Sequence, residues 1–297
     1  MPFMDLIRHL SFFVAVAEEG HFGHAAERLG MTQPPLSQGM RRLEQRIGTD
    51  LVHRGARSVS LTDAGRELLP RARLLVADAA RFDDEARRVA GSPSAAVRWG
   101  VSAAVPDEIV VGCVKALGGK DSRRETRVST MTASTNELVD ALRNGALDVA
   151  VVDHPAIVTG LECGPVLSLR RWVVVPEGHA VAVAKKPQLR MLQGLSLTTR
   201  PRSDNQPGHD LLLDVLRSKG IDPEVLVSRD FRDLVGQVAA GDCFGVTSEA
   251  PRSMPGVVWV DLLRSDLAAR MRIAWRQGHA PDTEIRALDR VLLKAGR

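Results

Sequence analysis

Apolar residues recur at helical spacing through the first ninety positions and in short β-like runs after them. Leu6, Leu10, Phe13 and Ala17 form one helical row, which Gly20 stops. A shorter helix follows in GHAAERLG, with Ala25, Ala26 and Leu29 apolar and Gly30 at its end. Thr32 suits the N-cap of a third helix, and Pro34 is tolerated in a first turn because no intrahelical donor is lost there. In that helix Leu36, Met40, Leu43 and Ile47 make a narrow apolar stripe. At 100° per residue, Pro34, Gln38, Arg41, Arg42 and Gln45 point away from it, with Ser37 at the edge. Two short helices and a tight turn, the second helix polar outside, describe a helix-turn-helix. Arginine and glutamine suit base edges, while serine, threonine and helix N-terminal amides suit phosphates. The same face also fits a solvated helix in a small bundle.

DLVHRGARSVSLTDAG reads as two short strands, Leu51 to His53 and Ser58 to Leu61, around a turn at Arg54, Gly55, Ala56 and Arg57. An arginine-bearing hairpin beside a helix-turn-helix is a wing, suited to the sugar-phosphate backbone or minor groove. Thr62 then caps a long helix. Leu68, Ala72, Leu75, Ala79, Phe82, Ala86 and Val89 follow each other at alternating steps of four and three, an a/d seam. The other faces are charged, so the seam wants one partner: a second copy of the helix, or another helix of its own chain.

GSPSAA at residue 91 starts a linker, and the grammar changes. VRWGVSAAV, TRVSTM, DVAVVD, RRWVVVPEG, LSLTT, EVLVS, CFGVTS, VVWV and MRIAWR alternate with helical runs at 107–118, 135–144, 209–219, 231–240 and 281–295. Such a pattern predicts an α/β fold with a mainly parallel sheet. ELVDALRNGALDVAVVD and DLVGQVAAGDCFGVTSE are near-repeats, each helix, glycine and acid-led strand. They predict two similarly built subdomains with a ligand cleft between them.

At 297 residues the chain has room for two or three domains. The net charge of +4 is small for that length. Residues 1–90 hold thirteen arginines, no lysine and twelve acids, so any DNA contact must come from local placement. Cys113, Cys163 and Cys243 lie far apart, writing neither a disulfide framework nor a zinc cluster, and a reducing cytoplasm fits them. IRHLSFFVAVAEEG mimics a signal peptide, but acids flank its short apolar run. No run of 18 apolar residues is present, so no membrane span is expected. There is no Walker loop, GxGxxG after a strand, HExxH or G-x-S-x-G. His21 and His24 have no third ligand nearby, Asp148 and Asp153 read as strand-end acids, and the four tryptophans read as core. Neither metal nor cofactor is expected.

L-x-x-F-x-x-V-A-E-x-G-x-F stands at Leu10 to Phe22, A-A-E-R-L at Ala25 to Leu29 and T-Q-P-x-L-S at Thr32 to Ser37. R-R-L-E follows at Arg41 to Glu44 and L-T-x-A-G at Leu61 to Gly65. In these motifs the N-terminal segment resembles the LysR-type transcriptional regulators. The resemblance is dense to about residue 90 and looser beyond. The resemblance implies a homodimer or dimer of dimers joined through the long helix, and a periplasmic-binding-protein-like domain for a small-molecule effector. It also admits contact with RNA polymerase. DNA contacts fall on Gln33, Pro34, Ser37, Gln38 and Arg41, with Thr32 and Arg42 beside them and Arg54 and Arg57 in the wing. Effector contacts map to Ser102, Ala103, Ser134, Thr135, Thr199, Arg200 and Arg202, with Phe231 and Thr247 in the second subdomain. Two departures concern the reader: Val52 replaces the phenylalanine of L-F-x-R, and Gln38 and Gly39 follow Ser37 where arginine is common. Cys163 and Cys243 are not placed like the cysteine pair of peroxide-sensing members.

The expected architecture is therefore α/β overall. A winged helix-turn-helix domain spans 1–61, a linker and dimerisation helix 62–90, and an effector domain 91–297. Within the last, subdomain I covers about 95–163 and 266–297 and subdomain II about 164–265. The expected function is sequence-specific binding of double-stranded DNA, modulated by an effector in the C-terminal cleft. The alternative is an α/β small-molecule-binding protein or enzyme with a helical regulatory domain. Arg200 and Arg202 near Thr198 and Thr199, facing a helix start at Ser134 and Thr135, suit an anionic effector, most naturally a carboxylate. Surface arginines beside a proline loop are common without a ligand and helix N-caps often merely cap, so a neutral effector is the other reading.

Overall fold

A computed structural model describes residues 2–55, 59–89, 97–118, 127–262, 268–278 and 281–296. The chain divides into two compact units, residues 1–95 with 143–146, and residues 96–142 with 147–297.

The N-terminal unit contains α1 (Pro2–Glu19), α2 (Phe22–Arg28), α3 (Gln33–Ile47), the hairpin strands β1 (Val52–Arg54) and β2 (Val59–Leu61), and α4 (Asp63–Val89). Phe13, Val16, Ala25, Leu36, Met40, Leu43 and Leu51 are fully buried in one core. Gly20, Gly30 and Gly48 close the first three helices with positive φ, where a side chain would strain the backbone. The buried stripe of α3 differs from the predicted one at two points. Ile47 is 38% exposed, and Gly39 is buried instead, because a Cβ there would lie 2.5 Å from the Phe12 ring. Gly39 therefore faces the core and not the polar side. Thr32 holds the N-cap position, but its side chain makes no capping hydrogen bond. Val52 is 4% exposed in the same core, so the smaller side chain is still well covered.

Thr62 ties the hairpin to α4: its hydroxyl donates to the Asp50 carbonyl at 2.7 Å and accepts from the Gly65 amide at 2.9 Å. Gly65 has to be glycine here, since a Cβ would stand 2.1 Å from the Leu51 carbonyl oxygen. The seam of α4 is split. Leu68 and Ala72 pack into the unit's own core beside Leu69 and Val76, because α1 lies along the first turns of α4. Leu75 and Phe82 stay 48% and 71% exposed, Ala79 is half-buried and Ala86 exposed. The side chains of Val89 and Arg54, and all of Arg57, lie outside the described residues.

The C-terminal unit holds two sheets. The first runs β4 (Val128–Ala133), β3 (Val97–Ser102), β5 (Val149–His154), β13 (Ala269–Arg276) and β6 (Leu161–Cys163), with β7 (Leu167–Leu169) also on β13. The second runs β10 (Val225–Val227), β9 (Ser196–Thr199), β11 (Cys243–Thr247), β8 (Trp172–Pro176) and β12 (Val257–Val260). Alternation along β5 sends Val149 and Val151 to a core with α5 (Asp107–Leu117) and α10 (Asp282–Ala295). Ala150 and Val152 go to the other face, with α6 (Thr135–Arg143). In the second sheet α7 (Ala180–Val183) and α8 (Gln206–Ser218) cover one face and α9 (Phe231–Ala239) the other, in the same manner.

The near-repeat is real in three dimensions: α6–β5 and α9–β11 are equivalent, each strand parallel to one neighbour and antiparallel to another. The sheets are mixed, not mainly parallel. β8 and β13 arrive from the opposite lobe, so each starts where the parallel strands end and must run against them. β6 and β7 were not predicted, and β7 extends the first lobe to Leu169, so the crossing lies at Arg170 and Arg171 and not near residue 164. α8 begins at Gln206, three residues earlier than predicted, because Asn205 caps it and Pro207 sits in its first turn.

The close approach at Gly65 yields a test. Gly65→Ala should destabilise the N-terminal unit by about 1–3 kcal/mol, since a backbone carbonyl cannot move aside like a side chain. Urea unfolding followed by far-UV circular dichroism should show an earlier helical transition. Tryptophan fluorescence should not move, because Trp99, Trp172, Trp259 and Trp275 all belong to the other unit. An unchanged helical transition contradicts the packing account.

Candidate functional sites

In the N-terminal unit, what presents α3 is a set of ion pairs and backbone locks behind it. Arg28 on α2 pairs with Glu18 at 2.8 Å and Glu19 at 3.1 Å on α1, and Arg73 of α4 reaches the same Glu18 at 3.1 Å. The Glu18 hydrogen bond holds the Arg28 guanidinium above its ordinary pKa. On the inner side of α3, Glu44 is only 6% exposed, and its carboxylate accepts from the Leu51 amide at 3.0 Å and the Val52 amide at 3.4 Å. That fixes the start of the hairpin to the third helix. With these groups turned inward, Thr32, Gln33, Pro34, Gln38, Arg41 and Arg42 are exposed along one side, and Ser37 is half-buried at its edge. Arg54 ends β1, next to the hairpin tip.

In the C-terminal unit, four parallel strands bring their carboxyl ends to one cleft: Ser102 on β3, Asp153 on β5, Thr199 on β9 and Thr247 on β11. Asp153 is the centre of its polar contacts. Its carboxylate accepts from Ser102 Oγ at 2.9 Å, Thr135 Oγ1 at 3.1 Å and Arg200 Nη2 at 3.1 Å. The first two donors come from its own lobe and the third from the other. A second interlobe contact joins Asn136 to the Ser203 carbonyl at 2.6 Å, and a third joins the Asp107 amide to Glu249 at 3.3 Å. Arg171, on the crossover, has a guanidinium pushed below its ordinary pKa by burial and by nearby Arg200, with Asp153 opposing.

Two cavities flank Arg171 and Arg200. One of about 160 Å³ lies toward α8, walled by Asp153, Asp204, Asn205 and His209. The other, about 150 Å³, lies toward α9, walled by Ala103, Ser228, Phe231, Thr247 and Glu249. Thr199 lines both. Burial holds the Asp204 and Glu249 carboxyls above the usual carboxylate range. Cavities of this size suit a small polar molecule.

These arrangements have known counterparts. Residues 7–66 match the model of the bacterial regulatory helix-turn-helix protein, lysR family, and residues 90–297 match the LysR substrate binding domain. The chain belongs to the LysR family of DNA-binding transcription regulators. It is 30% identical over 302 residues to the uncharacterized HTH-type transcriptional regulator YnfL of Escherichia coli (strain K12), spanning 98% of this chain and 99% of that one. To the HTH-type transcriptional regulator ShiR of Corynebacterium glutamicum (strain R) it is 32% identical over 284 residues, spanning 92% and 93%. The crystal structure of full-length CbnR with its target DNA shares the fold at a TM-score of 0.71 and 22% identity, covering 97% of this chain and 99% of that one. The family is one of regulators with a substrate-binding C-terminal domain, so the reading as a regulator and not an enzyme rests on membership.

The LysR signature residues turn out to be scaffold. Glu18 and Arg28 pair, Ala25 and Ala26 are core, Glu44 locks the hairpin, and Thr62 and Gly65 form the joint to α4. The exposed face of α3 lies between them. In the LysR substrate domain, Ala103, Thr199, Arg200, Phe231 and Thr247 line the cleft cavities. Ser102 and Thr135 are buried, and their hydroxyls are taken by Asp153. Ser134 is spent on α6, in a reciprocal cap with Glu137, whose carboxyl its hydroxyl and amide hold below the usual range. Thr198 is fully buried and donates to Gln237 at 2.6 Å. Arg202 does not reach the cleft, because two 2.7 Å hydrogen bonds hold its exposed guanidinium against Asp210.

Sequence reasoning missed Arg171 and Ser228 and undervalued Asp153. The signal for Asp153 was present: an acid ending an apolar strand in the parallel part of a sheet. Arg171 gave none, since only the crossover makes it a cleft residue. All three cysteines are free thiols. Burial pushes Cys113 up to about 12 and raises Cys243 as well, which disfavours the reactive thiolate. Among the described residues no cluster of three His, Cys, Asp or Glu could hold a metal, and no helix is long and apolar enough to cross a membrane.

Proposed function

We propose that this regulator reads a DNA operator with the exposed side of α3 and senses a small molecule in the cleft between the two lobes of its C-terminal unit. Gln33, Pro34, Ser37, Gln38, Arg41 and Arg42 face the major groove, Thr32 and the first amides of α3 meet phosphate, and Arg54 and Arg57 meet the flanking backbone. The observation that carries the reading is the division of α3, with Leu36, Met40 and Leu43 fully buried and the forked polar side chains exposed opposite. The effector contacts Ala103, Thr199, Arg200, Phe231 and Thr247, and an anionic molecule suits the arginine at their centre. The operator is met by at least a dimer, joined through Leu75, Ala79, Phe82, Ala86 and Val89. The exposure of Leu75 and Phe82 supports that joint, as large apolar side chains on a charged helix call for cover.

Base reading and backbone contact separate by mutation. Gln38→Ala should reduce the discrimination between operator and mismatched duplex by about 1–3 kcal/mol, while Arg54→Ala weakens both alike. Isotherms on the two duplexes at one salt concentration decide it, and equal losses for Gln38→Ala exclude a base contact.

The seam has its own test. Leu75→Asp places a carboxylate where a partner helix would desolvate it, so sedimentation should shift toward smaller species and operator affinity should fall. Unchanged assembly together with unchanged binding removes α4 as the joint.

A further inference from the structure

Three groups able to donate hydrogen bonds, Arg171, Arg200 and Ser228, line one cavity of the cleft. Arg171 has neither a hydrogen bond nor an ion pair among the described residues, and it lines the cavity toward α9. Arg200 gives Nη2 to Asp153, but its Nη1 is buried without a partner. Ser228 is 1% exposed, and its Oγ also lacks a partner. Arg200 Nη1 and Ser228 Oγ are buried donors left unmatched, which is costly, so a cavity that gathers them beside the Arg171 guanidinium is suited to an acceptor. The acids at its rim do not fill that role. Asp230 caps α9 by accepting from the Asp233 amide at 2.9 Å, and Glu249 accepts from the Asp107 amide.

Asp153 differs from those acids because it has support to spare. Its Ser102 and Thr135 donors come from its own lobe and would remain if Arg200 left. The carboxylate is therefore not stranded by losing the arginine, and Arg200 can change partner at small cost.

Resting on the reading of this cleft as the effector site, we propose that Arg171, the whole guanidinium of Arg200 and Ser228 Oγ receive the oxyanion of a small anionic effector, and that Asp153 is its built-in competitor for Arg200. The exchange swaps an interlobe ion pair for a ligand held by both guanidinium groups. It selects for charge, since a neutral molecule cannot draw Arg200 from a carboxylate. Carboxylate and phosphate share the required chemistry.

The test is calorimetric titration of the full chain with succinate, inorganic phosphate and neutral succinamide. At least one anion should bind and the diamide should not; binding by succinate alone assigns a carboxylate, and by phosphate alone a phosphate group. Arg171→Gln should weaken the bound anion at least about tenfold, because the anion loses one of its two cationic partners. Asp153→Asn should tighten it by roughly tenfold, because the competing charge is gone. Should that variant not fold, a structure of the wild-type complex reads the same exchange: the Asp153–Arg200 contact, 3.1 Å here, should open beyond 4 Å, about the limit of an ion pair. An intact pair with anion bound, or equal anion affinity in Arg171→Gln, overturns the proposal. Succinamide bound as well as succinate removes the anion inference but leaves the cleft as the effector site, whereas binding by none of the three counts against both.

Discussion

A carboxylate at the end of a buried strand must find donors, and Asp153 finds them in three elements at once. Ser102 and Thr135 bind it to the end of β3 and the start of α6, which fixes the floor of one lobe. Arg200 binds it to the loop after β9, which belongs to the other lobe. Among the described residues this is the ion pair that joins the two lobes at the cleft. Interlobe contacts elsewhere are neutral or involve a backbone amide, as at Asn136 with Ser203 and Asp107 with Glu249. A ligand that alters the Asp153 pair acts on the contact with the greatest electrostatic leverage, because the others respond weakly to charge.

The N-terminal unit solves a different problem with the same economy of parts. A 15-residue helix that buries a narrow stripe has little surface by which to be held, so its angle has to be set from its ends and inner edge. Glu44 does this at the inner edge, by accepting backbone amides that begin the hairpin. Arg28 does it through α2, by joining two acids on α1. None of these groups is on the exposed side. Rigid presentation and polar readout are thereby assigned to different residues, and the exposed residues can vary without disturbing the core.

Much of this was legible beforehand, and the failures have a common cause. Helical periodicity located α1 to α4 because each buries one stripe, and turn glycines marked their ends. The near-repeat disclosed two lobes because α6–β5 and α9–β11 face similar surroundings. What escaped was whatever depends on the chain crossing between lobes. β13 and β8 have ordinary apolar patterns that say nothing of direction, which is why the pattern predicts a mainly parallel sheet. β6 and β7, at three residues each, are too short for alternation to register. Of the effector residues that the resemblance implies, Ser102, Ser134 and Thr135 carry hydroxyls that local capping and a buried carboxylate already claim. Sequence shows which polar groups are present, but not which are already satisfied.

That distinction bears on how the cleft could work. A site lined by satisfied groups would need ligand binding to break hydrogen bonds before making any. Here the satisfied groups form the walls, and the groups free to take a ligand stand just outside the strands: Arg171 on the two-residue crossover, Arg200 Nη1 just past β9 and Ser228 Oγ just past β10. A ligand that pairs them joins the crossover to the ends of two neighbouring strands of one sheet, while releasing that sheet's hold on Asp153. The gain in contacts within one lobe and the loss of a contact between lobes are the same event. Coupling of occupancy to interlobe geometry then needs no separate transmission device, since the differential affinity for the two arrangements lies in the partner that Arg200 takes.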